Sequence, residues 1–215
     1  MVYIPSVTSE PISPRRRAQF AAHQTEVEAF FADARRSVYS YTSLEEAIRQ
    51  NRANWHLTTV SVSDLLELLV QDSRLRVVEL TSESYASVRR YGWDPLSPFE
   101  LALSLKPNSY LSYGTAAYLR GLLREVPATF HLNKEQSPKA RLGSLTQQGL
   151  DRAFSSRPRQ SNLVFSDQDG HRFAVISGKF TNHLGVGAIK GPAGEKLYAT
   201  KVERTLVDIA VRPIY

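Results

Sequence analysis

Residues 61–80, SVSDLLELLVQDSRLRVVEL, constrain the fold more than any other stretch of this chain. Val62, Leu65, Leu66 and Leu69 recur at helical spacing as one apolar stripe, and LRVVEL then switches to the composition of a strand. Ser61 stands where a helix N-cap belongs, and Asp64, three residues on, completes a capping-box pattern. The spacing predicts a capped amphipathic helix that runs directly into a strand. Its polar face is acidic: Asp64, Glu67 and Asp72 precede the first basic residue, Arg74.

The residues upstream supply two more helices. Phe20, Val27, Phe30, Phe31 and Ala34 recur at helical spacing, and a second helix starts after Thr42 or Ser43 with Leu44, Ala47, Ile48 and Trp55 on its buried side. HLTTV, containing Thr58 and Thr59, gives the turn into the third helix. Downstream, LRVVEL (75–80) and YASVRRYGW (85–93) flank TSES and read as a hairpin. Three helices followed by a hairpin is the order of a winged helix-turn-helix domain. Before it, VYIPSVTSEPISPRRR has three prolines and no periodic apolar face, so residues 1–18 are expected to form a flexible tail carrying Arg15, Arg16 and Arg17.

DPLSP (94–98) marks a boundary. Beyond it the pattern predicts helices at 98–105 and near 114–124, with strands at ATFHL, LVF (163–165), RFAVIS (172–177) and HLGVGAI (183–189). DQDGH reads as a hairpin turn and QSPKARLGSLTQQ as a basic loop. A final helix is marked by Thr200 and Glu203 as a capping box, with Val202, Leu206 and Ile209 facing inward and Pro213 ending it. The expected fold class is α+β: a winged helix-turn-helix over 19–94, then a mixed α/β domain over 95–215.

Composition narrows the function classes. No apolar run approaches the roughly 20 residues needed to span a bilayer, and the N-terminus lacks a signal-peptide core, so a cytoplasmic protein is the expectation. With no cysteine, disulfides, thiol catalysis and cysteine-ligated zinc are excluded. Residues 1–95 hold 11 Lys+Arg against 12 Asp+Glu, whereas residues 96–215 hold 16 against 9. The basic excess favours an anionic partner.

Catalytic constellations are sparse. None of His23, His56, His131, His171 and His183 has a second histidine at i+3 or i+4 in a helix, so no metal site is read. His171 lies near Asp169 and Ser166, but in a turn where the three would be solvated rather than aligned. Arg204 and Asp208 read as a surface pair at i, i+4 spacing. Gly185, Gly187 and Gly191 match neither the dinucleotide nor the phosphate-loop fingerprint and read as a tight hairpin. The expectation is a protein with no catalytic residues, no metal and no cofactor.

Nucleic-acid readings have more support. Ser61, Ser63 and Gln71 can hydrogen-bond bases or phosphates, with Thr58 and Thr59 in the turn before them. Arg74, Arg76, Arg89 and Arg90 lie on or beside the hairpin, and the arginine tail would reach along a duplex as DNA-binding arms do. The acidic helix opposes this, because its carboxylates would face phosphates unless turned away.

Five later stretches point to a family. SPFELALSLKPNSYLSYGTAAYLRGLL (97–123), NKEQSPK (133–139), DRAFSSRPRQS (151–161), ISGKFTNHLGV (176–186) and KVERTLVDIAVRPIY (201–215) together resemble the AbiEi-like antitoxins of type IV, abortive-infection toxin-antitoxin systems, over roughly residues 36–215. The resemblance implies an N-terminal winged helix that binds inverted repeats in double-stranded DNA upstream of its own operon. It also implies a C-terminal domain that counters a nucleotidyltransferase-like toxin without a stable complex being expected. Members usually continue beyond the ERTLVDIAVRP helix, so a shortened C-terminal domain is expected. The rival expectation is a protein-interaction module that docks an acidic protein or RNA on its basic C-terminal face.

Overall fold

The computed structural model describes residues 11–34, 37–138, 146–155 and 160–215. The chain is α+β and divides into two compact units. One runs through Val77 and adds Tyr91–Pro95; the other comprises Val78–Arg90 and Leu96–Tyr215. The expected boundary near residue 94 is therefore half of the division. The distal part of the hairpin, 78–90, belongs with the C-terminal residues.

In the first unit α1 spans Pro14–Asp33, which corrects the tail reading. Ser13 caps the helix by accepting from the Arg16 amide, and Pro14 sits at the first helical position, where its missing N–H costs nothing. Arg15, Arg16 and Arg17 thus occupy the first turn of a helix rather than a flexible arm. Residues 1–10 of the expected tail lie outside the described residues.

A two-residue strand, β1 (Val38–Tyr39), follows and is too short to show a period. Helix α2 spans Tyr41–Asn51 and begins earlier than the spacing predicts, because Ser40 and Ser43 form a reciprocal capping box. Helix α3 spans Val62–Asp72, then come β2 (Leu75–Leu80) and β3 (Val88–Trp93), the second shorter than expected. The sheet order is β1-β3-β2, with Val38 opposite Gly92 and Tyr39 opposite Tyr91. Phe20, Val27 and Phe31 of α1, Leu44 and Ile48 of α2, and Leu65, Leu68 and Leu69 of α3 converge with Trp55, Tyr91 and Trp93 in one core. Phe31 is its hub: it stacks on Trp93 at 5.2 Å and meets Tyr39 edge-on at 5.7 Å.

The second unit is built on a six-stranded sheet ordered β6-β7-β5-β4-β9-β8. In chain order its elements are α4 (Pro98–Ser104), β4 (Ser109–Leu111), α5 (Tyr113–Leu119), β5 (Thr129–Glu135) and α6 (Gln147–Ser155). Then come β6 (Val164–Ser166), β7 (Arg172–Gly178), β8 (Val186–Lys190), β9 (Lys196–Thr200) and α7 (Val202–Val211). β4 runs parallel to β9 and β5 parallel to β7; the remaining pairs are antiparallel. The detached hairpin tip is tied to this sheet. Thr81 and Ser166 exchange backbone hydrogen bonds of 2.9 and 2.8 Å, and the Tyr85 hydroxyl donates to Asn162 at 3.1 Å.

Two predicted features of α7 differ. Its N-cap is Lys201, with no side-chain cap bond, and the Thr200 hydroxyl instead meets that of Thr205 at 2.6 Å. Thr205 is fully buried, while Val202 and Leu206, expected to face inward, are exposed. The contacts of this helix are instead polar, Thr205 meeting Thr200 and Arg204 donating to the Leu184 carbonyl. No described helix is long and apolar enough to cross a membrane.

Candidate nucleic-acid interface

The acidity of α3 is answered from α1. Arg16 donates to Asp64 at 2.7 Å, and Arg17 pairs with Asp72 while its second amine donates to Gln71 at 2.9 Å. Gln71 passes the contact on, donating to Glu67 at 2.9 Å. The capping box is therefore half formed: Ser61 accepts from the Asp64 amide at 3.1 Å, but the Asp64 carboxylate goes to Arg16. Arg16 remains 49% exposed and Arg17 45%, so both stay at the surface.

The approach to α3 is hydroxyl-rich. Thr58 and Thr59 are exposed in the preceding turn, with Thr59 donating to Gln19 at 2.7 Å. The exposed Ser63 hydroxyl lies 2.9 Å from that of Ser61. Arg74 is exposed, and Arg76 is also exposed but reaches Asp94 at 3.5 Å. These residues, with Arg15, belong to the first unit.

Arg89 and Arg90 lie on β3, next to β2 as the hairpin reading expects, but they fall in the other unit. Arg89 is exposed. Arg90 is half-buried and committed, donating to the Ser104 carbonyl at 3.0 Å and to the Ser104 hydroxyl at 3.2 Å; burial lowers its pKa. It braces the end of α4. Counted by unit, the first holds 9 Lys+Arg against 10 Asp+Glu and the second 18 against 11.

No family model and no curated protein matches the chain.

A second constellation, missed by the sequence reading, lies on one face of the six-stranded sheet. Glu135 accepts from the Tyr110 hydroxyl at 3.0 Å, from the Thr181 amide at 2.9 Å, from the Thr181 hydroxyl and from the His183 amide at 3.3 Å. Partial burial pushes its pKa up, but these hydrogen bonds outweigh that and hold it at about 2. Burial raises Tyr110 to about 12, against the hydrogen bond from Asn133 and the charge of Arg204. Arg204 joins α7 to the same loop, donating to the Leu184 carbonyl at 2.7 Å and to Asp208 at 2.8 Å. The loop needs glycine where it closes: Gly185 has φ +71°, and a Cβ there would lie 2.8 Å from Arg204 Cβ.

Next along the face, His131 is largely buried, which lowers its pKa to about 4, and its Nδ1 has no partner among the described residues. An ionised, fully engaged carboxylate and a phenol of raised pKa make a poor acid-base pair at neutral pH. The arrangement fixes the 181–185 loop. The signal was present in TFHLNKE, where Thr129, His131, Asn133 and Glu135 alternate with Phe130, Leu132 and Lys134.

Asp167, Asp169 and His171 bring ligand-type atoms within 4.8 Å of one another. Both carboxylate oxygens of Asp167 are already used by His171, through its amide and its Nδ1, each at 2.8 Å. That pairing closes the β6–β7 turn.

Proposed function

We propose that this chain is a DNA-binding antitoxin of the AbiEi type that represses its own toxin-antitoxin operon, with no catalytic activity of its own. The reading takes the first unit as a winged helix-turn-helix and α3 as its recognition helix. Its support is the order helix, strand, helix, helix, strand, strand with β1 beside β3.

The observation that carries it is the pairing of Arg16 with Asp64 and of Arg17 with Asp72 and Gln71. An acidic helix would be repelled by phosphates. Here two of its three carboxylates are neutralised within the unit, which leaves Ser63 to meet base edges, joined by Gln71 once it exchanges Arg17 and Glu67 for a base, and the helix N-terminus to meet a phosphate. Arg15 and Arg74 add salt-dependent attraction. The basic excess of the second unit supports an anionic partner there as well. The cellular place of action on this reading is the cytoplasm.

A reporter driven by the DNA upstream of the chain's own reading frame tests the proposal. Expression of the chain should repress it several-fold, Ser63→Ala should relax the preference for that DNA, and co-expression should relieve the growth arrest caused by an adjacent nucleotidyltransferase-like frame. Unchanged reporter output together with unrelieved arrest would reject it.

A further inference from the structure

The β8–β9 hairpin gathers two lysines on one face. Lys190 stands opposite Lys196 and Ala188 opposite Tyr198, so these four residues share one face, and all four are exposed. Like charges placed directly across a ladder cost stability. Neither lysine has an ion-pair partner among the described residues. The adjacent carboxylate, Glu195, is turned away to accept from the Ser97 hydroxyl at 2.6 Å and the Ala193 amide at 2.9 Å.

Aromatic rings sit beside them. Tyr198 is 49% exposed, with the Lys196 ammonium 5.9 Å from its ring centroid. β9 runs parallel to β4 with Leu111 beside Ala199, which sets Tyr198 next to Tyr110 on the same face. Tyr110 is buried and meets the exposed His183 ring edge-on at 5.4 Å. The His183 backbone is fixed in turn by the hydrogen bond its N–H donates to Glu135. Two exposed rings therefore flank one buried tyrosine, with two lysines beyond that have no ion-pair partner among the described residues.

We propose that this face binds a single-stranded polynucleotide, with bases stacked on Tyr198 and His183 and phosphates held by Lys190 and Lys196. A positively charged track beside stacking platforms suits unpaired bases, whose faces are hidden in a duplex. The site is separate from α3, and the inference does not depend on operator binding. The plain rival is that lysines on an edge hairpin only discourage strand pairing between molecules.

Fluorescence anisotropy of the full chain with 12-nucleotide oligo(U), oligo(dT) and a mixed-sequence duplex decides between them. Both single strands should bind; a preference for oligo(U) would point to RNA as the source, and equal affinity to the shared backbone and base chemistry. Tyr198→Ala should weaken single-strand binding about tenfold while Tyr198→Phe keeps it. The Lys190→Ala, Lys196→Ala pair should weaken it by about as much and flatten the salt dependence. Duplex binding should be unchanged in all three variants. If Tyr198→Ala binds like the parent, if Tyr198→Phe loses as much as Tyr198→Ala, or if the lysine changes alter only solubility, the proposal fails.

Discussion

The two units solve burial in opposite ways. The first puts nearly all its aromatic residues into one apolar core, with Phe31 against Trp93, Tyr39 and Trp55, and keeps its ion pairs at the surface. The second has one apolar strand face, represented by Phe130, Leu132 and Phe173, and one polar face that is tied to α7 through Glu135, Tyr110 and Arg204. Conventional amphipathic patterning thus describes the first unit and misorients α7 in the second. The lesson is that α7 is held by polar contacts of Thr205 and Arg204, which apolar spacing does not announce.

The largest expected effect separates the two designs. Phe31→Ala should cost the first unit about 3–5 kcal/mol in denaturant unfolding, because it removes a packed hub that cannot collapse. A loss below about 1 kcal/mol would show that the aromatic core is not what holds that unit.

Acid should act chiefly on the second unit. His131 is depressed to about 4 when folded, so between its ordinary pKa and that value the unfolded chain binds a proton the folded one refuses. Stability should be constant at higher pH and fall by about 3 kcal/mol as pH drops through this window. His131→Phe should remove that slope in a pH series of unfolding curves.

A smaller effect with a distinct signature is expected at Glu135. Its lowered pKa means that its stabilisation is present above the ordinary carboxylate pKa and lost as pH falls toward about 2. After screening by solvent, Glu135→Gln should cost about 1 kcal/mol at neutral pH. Amide exchange at Thr181 and His183 should quicken in the variant, and the stability gap should close in acid.

The smallest stability effect should come from Arg17→Ala, about 0.5 kcal/mol, since its ion pair is exposed. Its effect on duplex affinity should be larger, about tenfold, because Asp72 would then face phosphate unpaired. Equal and negligible effects on both would undo the compensation assigned to α1.

Much of the first unit was legible because its helices have strong local signals. Leu65 and Leu69 fall on the buried stripe, and Ser61 caps α3. What escaped is tertiary: no local pattern says that Arg16 will reach Asp64, 48 positions away, or that Thr81 will pair with Ser166, 85 away. From Pro14 to residue 18 the tail reading failed because proline density outweighed the Ser13–Pro14 start signal. Helix α6 and strand β9 were passed over between loop-like neighbours. Of the expected DNA contacts, Ser61, Ser63, Gln71 and the α1 arginines lie along or against α3, whereas Arg90 is spent on Ser104.

The most direct measurement is fluorescence anisotropy of the purified chain with its own upstream duplex and with a scrambled duplex, each at two salt concentrations. The DNA-binding reading predicts a preference for the native duplex by a factor of about 10³ or more, retained as salt rises. Equal, steeply salt-dependent binding to both duplexes would contradict it and leave only a basic surface.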